Sequence, residues 1–333
     1  MTLLDKKQTT EDLSLDVALR PAGWGDYIGQ ENVKKNLKIL LKAAKERGEN
    51  TEHLLFYGPA GLGKTTLAHI IANEMGASLK VSSGPAIEKV GDLASVLTNL
   101  LPGEILFIDE AHRLNKMIEE ILYPAMESRS LNIIIGKGPS ARTIQLELPP
   151  FTLIAATTRV ASLSAPLRSR FSGGIFKLNF YENEEIKEII KRSAAILGIS
   201  INDESALKIA ERSRFTPRVA NRLLKRCRDF AQVNKKESID IQTINDTLEL
   251  LEIDNKGLEN ADRDVLRTII QKFGGGPVGI KTLSAATSED PFTIEEVYEP
   301  YLIRMGLMDR TPRGRVATKK AYDHLDITYP KLI

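Results

Sequence analysis

The residues with the clearest chemistry are Gly58-Pro59-Ala60-Gly61-Leu62-Gly63-Lys64-Thr65. They fill every fixed position of G-x-x-x-x-G-K-[ST], a loop that cradles phosphate. Its glycines let the backbone wrap closely and turn N–H groups toward an anion, and the helix that follows adds positive potential. Gly61, Leu62, Gly63 and Thr66 complete the wrap. Lys64 reaches the β- and γ-phosphates as a point charge, and Thr65 offers a hydroxyl to Mg²⁺. The flanks suit this. His53–Tyr57 is a short apolar run that reads as a buried strand, and Leu67, Ile70 and Ile71 have helical spacing.

A second group lies on another strand. Glu104–Ile108 is apolar and ends in Asp109-Glu110. Ligands of open α/β sheets bind at that end of the strands. An Asp there holds Mg²⁺, and the next Glu orients and polarises an attacking water. Adjacent carboxylates after a strand also cap helices, but together with the phosphate loop they read as nucleoside triphosphate hydrolysis. His112, two residues on, is expected behind the site or at the surface.

Bulk properties narrow the class. The chain has 333 residues, 42% hydrophobic and 27% charged, with a net charge of +2, so nucleic-acid affinity must come from local clusters. Cys227 is the only cysteine, which excludes an intramolecular disulfide and suits a reducing cytoplasm. Four scattered histidines make no metal cluster. No apolar run approaches membrane-spanning length, and the polar N-terminus is not a secretory signal.

The elements that position these groups follow from periodicity. Asn32 is expected to cap a helix to about Arg47, stopped by Gly48. Strands are expected at 53–57, 79–83, 104–109, 151–157 and 175–180, alternating with helices, which implies a parallel sheet with helices on both faces. From Asn183 on no strand is expected until the C-terminal region. Helices are predicted at 184–197, 203–213, 217–233 and 241–251, the third with Thr216 as N-cap and Pro217 at its first position. Arg218 is a cation in that helix's first turn. It implies either a nearby anion or a tolerated small penalty. Further helices at 261–273, 279–287 and 293–305, then a basic hairpin across 311–314, make a winged-helix plan. The expected fold is α/β, an ATPase core with a parallel sheet (1–181, with an inserted hairpin at 131–148), a small helical domain (182–253) and a winged-helix domain (254–333).

Other motifs add roles. Thr157-Thr158 end a strand and could sense the γ-phosphate or hold water. Arg168 and Arg170 follow, and an Arg offered to a neighbouring subunit's γ-phosphate accelerates transfer by about 10³–10⁵ where tested. The arms 131–135 and 144–148 either project an apolar face toward a partner or fold back into the core. Arg310, Arg313 and Arg315 cluster on the wing, where phosphate-backbone contact competes with a solvated edge.

These stretches together resemble the RuvB family of AAA+ ATPases, which drive branch migration of Holliday junctions. The likeness runs from Arg20-Pro21 and Tyr27-Ile28-Gly29-Gln30 through the phosphate loop, Asp109-Glu110, Gly136-Lys137-Gly138-Pro139-Ser140, Thr157-Thr158-Arg159, Pro166–Phe171, Thr216-Pro217-Arg218 and Gly275-Gly276-Pro277 to Arg310–Arg315. It implies that Lys64 and Thr65 bind phosphate and Mg²⁺, and that Asp109 and Glu110 bind metal and activate water. Thr158 (or Thr157) would be the first sensor, Arg218 the second and Arg170 the trans-acting finger. Leu19, Arg20, Tyr181, Glu127, Ser128 and Arg129 would surround ATP. The hairpin, through Ile133, Ile134, Ile135, Ile144 and Leu146, would dock on RuvA, and RuvC resolvase would join the larger complex. Arg310, Arg313 and Arg315 would contact duplex DNA inside a homohexameric ring, with no membrane involved. The chain departs from the family pattern at Ala60, Ala111, the longer Phe171-Ser172-Gly173-Gly174-Ile175 and Phe215. An ATP-controlled DNA-binding switch, and a clamp-loader-like factor, are the other classes considered. The finger, sensors and hairpin favour the motor over the switch, and the basic wing disfavours the loader.

Overall fold

The computed structural model describes residues 17–135 and 142–330, without the side chains of 133–135, 142 and 143. After Tyr181 the chain passes from one compact unit to another. The first holds a five-stranded parallel sheet, order β2-β3-β6-β1-β7, formed by β1 (Leu54–Tyr57), β2 (Leu79–Ser83), β3 (Ile105–Asp109), β6 (Thr152–Thr157) and β7 (Gly174–Lys177). Central strands β1, β3 and β6 are almost wholly buried, as an apolar run covered on both faces should be. Helices α1 (Glu31–Arg47), α2 (Lys64–Met75), α3 (Val90–Thr98), α4 (Lys116–Ser128) and α5 (Ala165–Ser169) complete the unit. Leu55, Leu106, Ile108 and Leu153 of the sheet share a core with Leu93, Leu97, Ile118 and Leu122 of α3 and α4.

Two expectations change here. Gln30, not Asn32, is the N-cap of α1, in the left-handed region and without a side-chain cap. Its amide instead clamps the exit of β7, donating to the Asn179 carbonyl at 2.6 Å and accepting the Asn179 N–H at 3.1 Å. Strand β7 stops at Lys177 rather than near Phe180. The hairpin is present as β4 (Ser130–Ile135) and β5 (Arg142–Glu147), paired antiparallel. Its base folds inward through Leu131, with Leu146 packed beside it, whereas Ile144 is 43% exposed. Residues 136–141 and the side chains of Ile133, Ile134 and Ile135 lie outside the described residues.

The second unit starts with α6 (Asn183–Ile196), α7 (Asp203–Glu211), α8 (Pro217–Val233) and α9 (Ile241–Leu250). Contrary to the all-helical expectation, β8 (Ser200–Ile201) and β9 (Ser238–Ile239) form a minimal parallel pair. Two residues carry too little periodicity to signal a strand. Thr216 occupies the N-cap of α8, but its hydroxyl donates to the Ser213 carbonyl instead of capping. Arg214 and Phe215 are both left-handed, φ 54° and 56°, which explains why glycine suits the Phe215 position. Such a backbone costs roughly 1–2 kcal/mol per residue. Packing offsets it: the Phe215 ring lies 6.0 Å from Tyr301 and beneath the Arg304 guanidinium at 4.3 Å.

The C-terminal part runs through α10 (Asn260–Arg267), α11 (Ile280–Thr287), α12 (Pro291–Thr293) and α13 (Glu299–Arg304) to β10 (Met308–Thr311), β11 (Gly314–Ala317) and α14 (Lys319–His324). The β10–β11 hairpin is the wing, and Val278 bridges to Arg315 along its edge. Leu266, Ile269, Leu283, Leu302 and Met308 centre this core.

At the start of α10, Asp262 is fully buried, ion-paired with Arg214 and accepting the Glu259 N–H at 2.8 Å. Its Oδ1 has no hydrogen-bond partner among the described residues. Burial outweighs the pull of Arg214 and pushes this carboxyl up to about 6. Stability from this group is therefore full below about pH 4 and is lost as pH rises through about 6. Thermal unfolding from pH 4 to 7 should show wild type losing up to about 3 kcal/mol relative to Asp262→Asn. A difference that does not vary with pH would contradict the assignment.

Candidate functional site

The parallel sheet ends three strands at one level. The Gly58 N–H bonds the Thr157 carbonyl at 3.2 Å, joining the start of the phosphate loop to the end of β6. Gly63, at φ 92°, turns the loop into α2, a conformation that a side chain rarely adopts. Lys64 is buried, its Nζ donating to the carbonyls of Gly58 and Pro59 at 2.8 Å each. Those bonds hold the ammonium inside the curve of the loop. Next to it, Thr65 Oγ1 donates to Asp109 Oδ2 at 3.3 Å. The hydroxyl of the loop and the carboxylate of β3 thus meet at one point.

Glu110 follows in the left-handed region, φ 51°, uncommon for a residue with a side chain. Its N–H bonds Asp109 Oδ1 at 2.9 Å, and its carbonyl accepts the Arg113 N–H at 2.9 Å. Gly84, just past β2, makes this sharp turn possible. A Cβ on Gly84 would lie 2.4 Å from the Glu110 carbonyl oxygen. The adjacent threonines at the C-terminal end of β6 part company. Thr157 is fully buried, with Oγ1 at 3.0 Å from both His112 Nδ1 and the Arg159 N–H. Thr158 is partly exposed just beyond the strand. Thr158 thus follows the strand at its C-terminal end, and Thr157 serves the interior.

Around the loop, Leu19 and Tyr181 are buried. The Tyr181 hydroxyl lies 3.4 Å from that of Tyr27 and 3.5 Å from the Leu62 carbonyl. Burial, then proximity to Tyr181, raises the Tyr27 phenol well above its usual range. Arg20 is exposed and reaches His69 of α2, Nη1 to Nε2 3.2 Å. Burial, helped by Arg20, keeps His69 below its ordinary value.

Arg170 sits just past α5. Its Nη2 pairs with Glu127 Oε1 at 3.0 Å, Nη1 donates to the Pro166 carbonyl at 2.6 Å, and the guanidinium stacks over Tyr123 at 4.5 Å. Glu127, Ser128 and Arg129 are exposed at the C-terminal end of α4, Arg129 at φ 52°. Of the three, Glu127 is the one that touches Arg170. In the other unit, Arg218 is exposed in the first turn of α8, with no ion-pair partner among the described residues.

On the wing, Arg313 is exposed in the turn and Arg310 is 58% exposed, pairing with Glu295 and Glu299. Arg315 differs from the expectation of an offered side chain. It is 5% exposed, with Nε paired to Glu299 and Nη2 to Glu295 at 2.8 Å. It acts as a brace in this structure.

Among the described residues no cluster of three or more His, Cys, Asp or Glu forms a metal site, and no helix is long and apolar enough to cross a membrane. Sequence reasoning missed three features: the Glu110 turn with Gly84 beneath it, the Thr157–His112 contact and the Tyr123–Glu127 cradle of Arg170. The pairing of Gly84 with the Asp109-Glu110 turn becomes visible only once β2 and β3 are registered side by side.

Comparison with known proteins agrees with this geometry. The family described as Holliday junction DNA helicase RuvB P-loop domain matches residues 19–177. The RuvB AAA lid domain matches 181–254 and the RuvB C-terminal winged helix domain 255–326. The Holliday junction branch migration complex subunit RuvB of Dehalococcoides mccartyi (strain CBDB1) is 57% identical over 327 residues, 98% of this chain and 93% of that protein. Thermotoga maritima RuvB, solved as a Holliday junction branch migration motor, superposes with a TM-score of 0.86 at 50% identity, covering 94% of this chain and 100% of that one. A lysine-to-arginine variant of the same protein gives 0.87 at 50% identity, covering 94% and 99%. The fold is a P-loop ATPase domain, an AAA lid and a winged helix, and the chain belongs to the RuvB family of Holliday junction DNA helicases.

Proposed function

We propose that the protein is an ATP-driven motor of Holliday junction branch migration, hydrolysing ATP at the loop–strand site. The observation that carries this is the Thr65–Asp109 contact, 3.3 Å across 44 residues of sequence. It joins the loop that holds phosphates to the strand that carries the acid groups. A hydroxyl and a carboxylate are the hard oxygen donors that Mg²⁺ takes, and this ion often has few protein ligands, completing its shell with phosphate and water. When bound, Mg²⁺ would offset phosphate charge. Lys64 steers the β- and γ-phosphates, helped by the loop N–H groups of Gly61, Leu62, Gly63 and Thr66. Glu110 orients the attacking water and takes up its proton, and Thr158 holds the water or the γ-phosphate from the end of β6. Catalysis is then positioning and electrostatic stabilisation, the usual content of phosphoryl transfer.

The nucleotide base and sugar rest near Leu19, Arg20 and Tyr181. Arg170 acts in trans on the ATP of a neighbouring copy in a homohexamer, beside Glu127, Ser128 and Arg129. Its Nη2 is held by the exposed Glu127, an ion pair that a neighbour's phosphate would have to replace; this supports the reading, since the same planar fork suits phosphate oxygens. Arg218 reports nucleotide to the helical domain. The hairpin supplies the contact to RuvA through Ile133, Ile134, Ile135, Ile144 and Leu146, with the exposed Ile144 in support. RuvC joins as resolvase. Arg310 and Arg313 meet duplex DNA directly. Arg315 contributes from behind, by neutralising Glu295 and Glu299, which would otherwise repel phosphate. We place the domains at 1–181, 182–253 and 254–333, and the protein in the cytoplasm.

Three outcomes are expected. Glu110→Gln keeps ATP binding and ring assembly but loses turnover, and wild-type-like hydrolysis would refute the base. Arg170→Ala lowers kcat by about 10³ or more, yet recovers some activity when mixed with Glu110→Gln chains. No recovery in rings shown to be mixed would count against a shared site. Arg313→Ala weakens DNA binding about equally across sequences and lowers the salt slope by about one. An unchanged slope would remove Arg313 from the phosphate contact.

A further inference from the structure

His112 was expected to sit behind the site or on the surface, and no step of the proposed hydrolysis uses it. The structure puts it between two functional strands. Its Nδ1 is 3.0 Å from Thr157 Oγ1, and its Nε2 is 3.5 Å from Glu110 Oε2. The side chain is 12% exposed, whereas that of Glu110 is 41% exposed. Thr157 Oγ1 already accepts the Arg159 N–H at 3.0 Å. Its own proton is best used toward His112 Nδ1, which assigns the imidazole proton to Nε2, facing the Glu110 carboxylate. The tautomer follows from this network. The last step is long for a hydrogen bond, so it orients the carboxylate rather than fixing it, as is usual before a substrate closes a site.

Without such a tie, Glu110 would be poorly held. Its backbone is pinned at positive φ above Gly84, but that leaves its side-chain rotamers free. His112 is the side-chain partner of its carboxylate among the described residues. We propose that His112 is a positioning residue that links the Glu110 carboxylate, through Thr157, to the β6 strand end carrying Thr158. Water activation and the sensing of phosphate are then set by one connected element. The proposal rests on Glu110 as the base. It is separable from that reading, because Glu110→Gln tests the base whether or not His112 matters.

The test measures steady-state ATP hydrolysis and the affinity of a fluorescent ATP analogue on the full-length protein. The variants are His112→Leu, His112→Gln, Thr157→Val and the His112→Leu/Thr157→Val double. Leucine fills much of the imidazole's space but donates nothing. Expected for His112→Leu is a loss in kcat of about tenfold or more, the scale of misplacing a reacting group by a fraction of an ångström, with KM and analogue affinity unchanged. His112→Gln, which keeps an N–H donor near the position of Nε2, recovers part of the loss. Thr157→Val lowers kcat alone, and the double variant is no worse than the worse single variant, because both cut one chain of contacts. Should His112→Leu fail to fold, Thr157→Val with His112→Gln still decides. Wild-type kcat in His112→Leu would overturn the proposal. So would a loss confined to KM and affinity, fully additive effects in the double variant, or Thr157→Val turning over as wild type.

Discussion

The site depends on the register of three parallel strands. Strand β1 pairs with β6 at Tyr57 and Thr157, and β3 pairs with β6 at Ile108 and Ala155. That alignment delivers the phosphate loop, Asp109-Glu110 and Thr158 to the same end of the sheet. Side chains alternate faces along a strand, so a slip of one residue would turn Asp109 away from Thr65 and send Thr157 out of the interior. The buried apolar sequences of Leu54–Phe56, Ile105–Ile108 and Thr152–Ala156 prevent the slip, since each is fixed by packing on both faces. Core packing far from any phosphate therefore specifies the geometry of the chemistry.

Charge is handled differently in the two units. In the first, the groups of the site keep one another within reach in a polar, partly open place: Lys64 on loop carbonyls, Thr65 on Asp109, His112 on Glu110. In the second, several charges are taken inside. Arg214 with Asp262 and Arg222 with Glu259 surround the start of α10, and Arg315 with Glu299 lies behind the wing. Buried pairs of this kind add little net stability, but losing one partner leaves a costly charge behind. Their effect is to give the wing and the α8–α10 junction one arrangement each. An exposed basic wing is more useful on a rigid base than on a mobile one.

Much of this was legible in the residues. The phosphate loop and the acidic strand end were readable because their spacing is fixed by backbone geometry that any such site needs. The central strands were readable as apolar runs, and α8 as a long amphipathic pattern after Thr216-Pro217. What escaped were features that depend on neighbours brought together by folding. Gln30 outcompetes Asn32 because its amide finds the β7 exit. Thr216 looks like a cap by type, yet its hydroxyl finds the Ser213 carbonyl first. Arg315 is basic like Arg313, but its guanidinium is drawn inward onto Glu299 and Glu295, acids that folding brings beneath the wing. Glu110 carries no sign in the sequence of its left-handed backbone, and Gly84 acquires meaning only beneath it. Phe215 was visible as an oddity, and the structure supplies its reason in Tyr301 and Arg304.

The central claim is that the loop, the acidic strand end and a neighbour's arginine act on one γ-phosphate. The most direct measurement is a structure of the assembled protein with a non-hydrolysable ATP analogue and Mg²⁺. The account predicts Thr65 and Asp109 on the metal side of the γ-phosphate, Glu110 facing the water on its other side, and Arg170 of an adjacent copy released from its own Glu127 to reach the phosphate oxygens. A γ-phosphate bound away from Asp109 and Glu110, or approached by no arginine from another copy while Arg170 stays on Glu127, would contradict it.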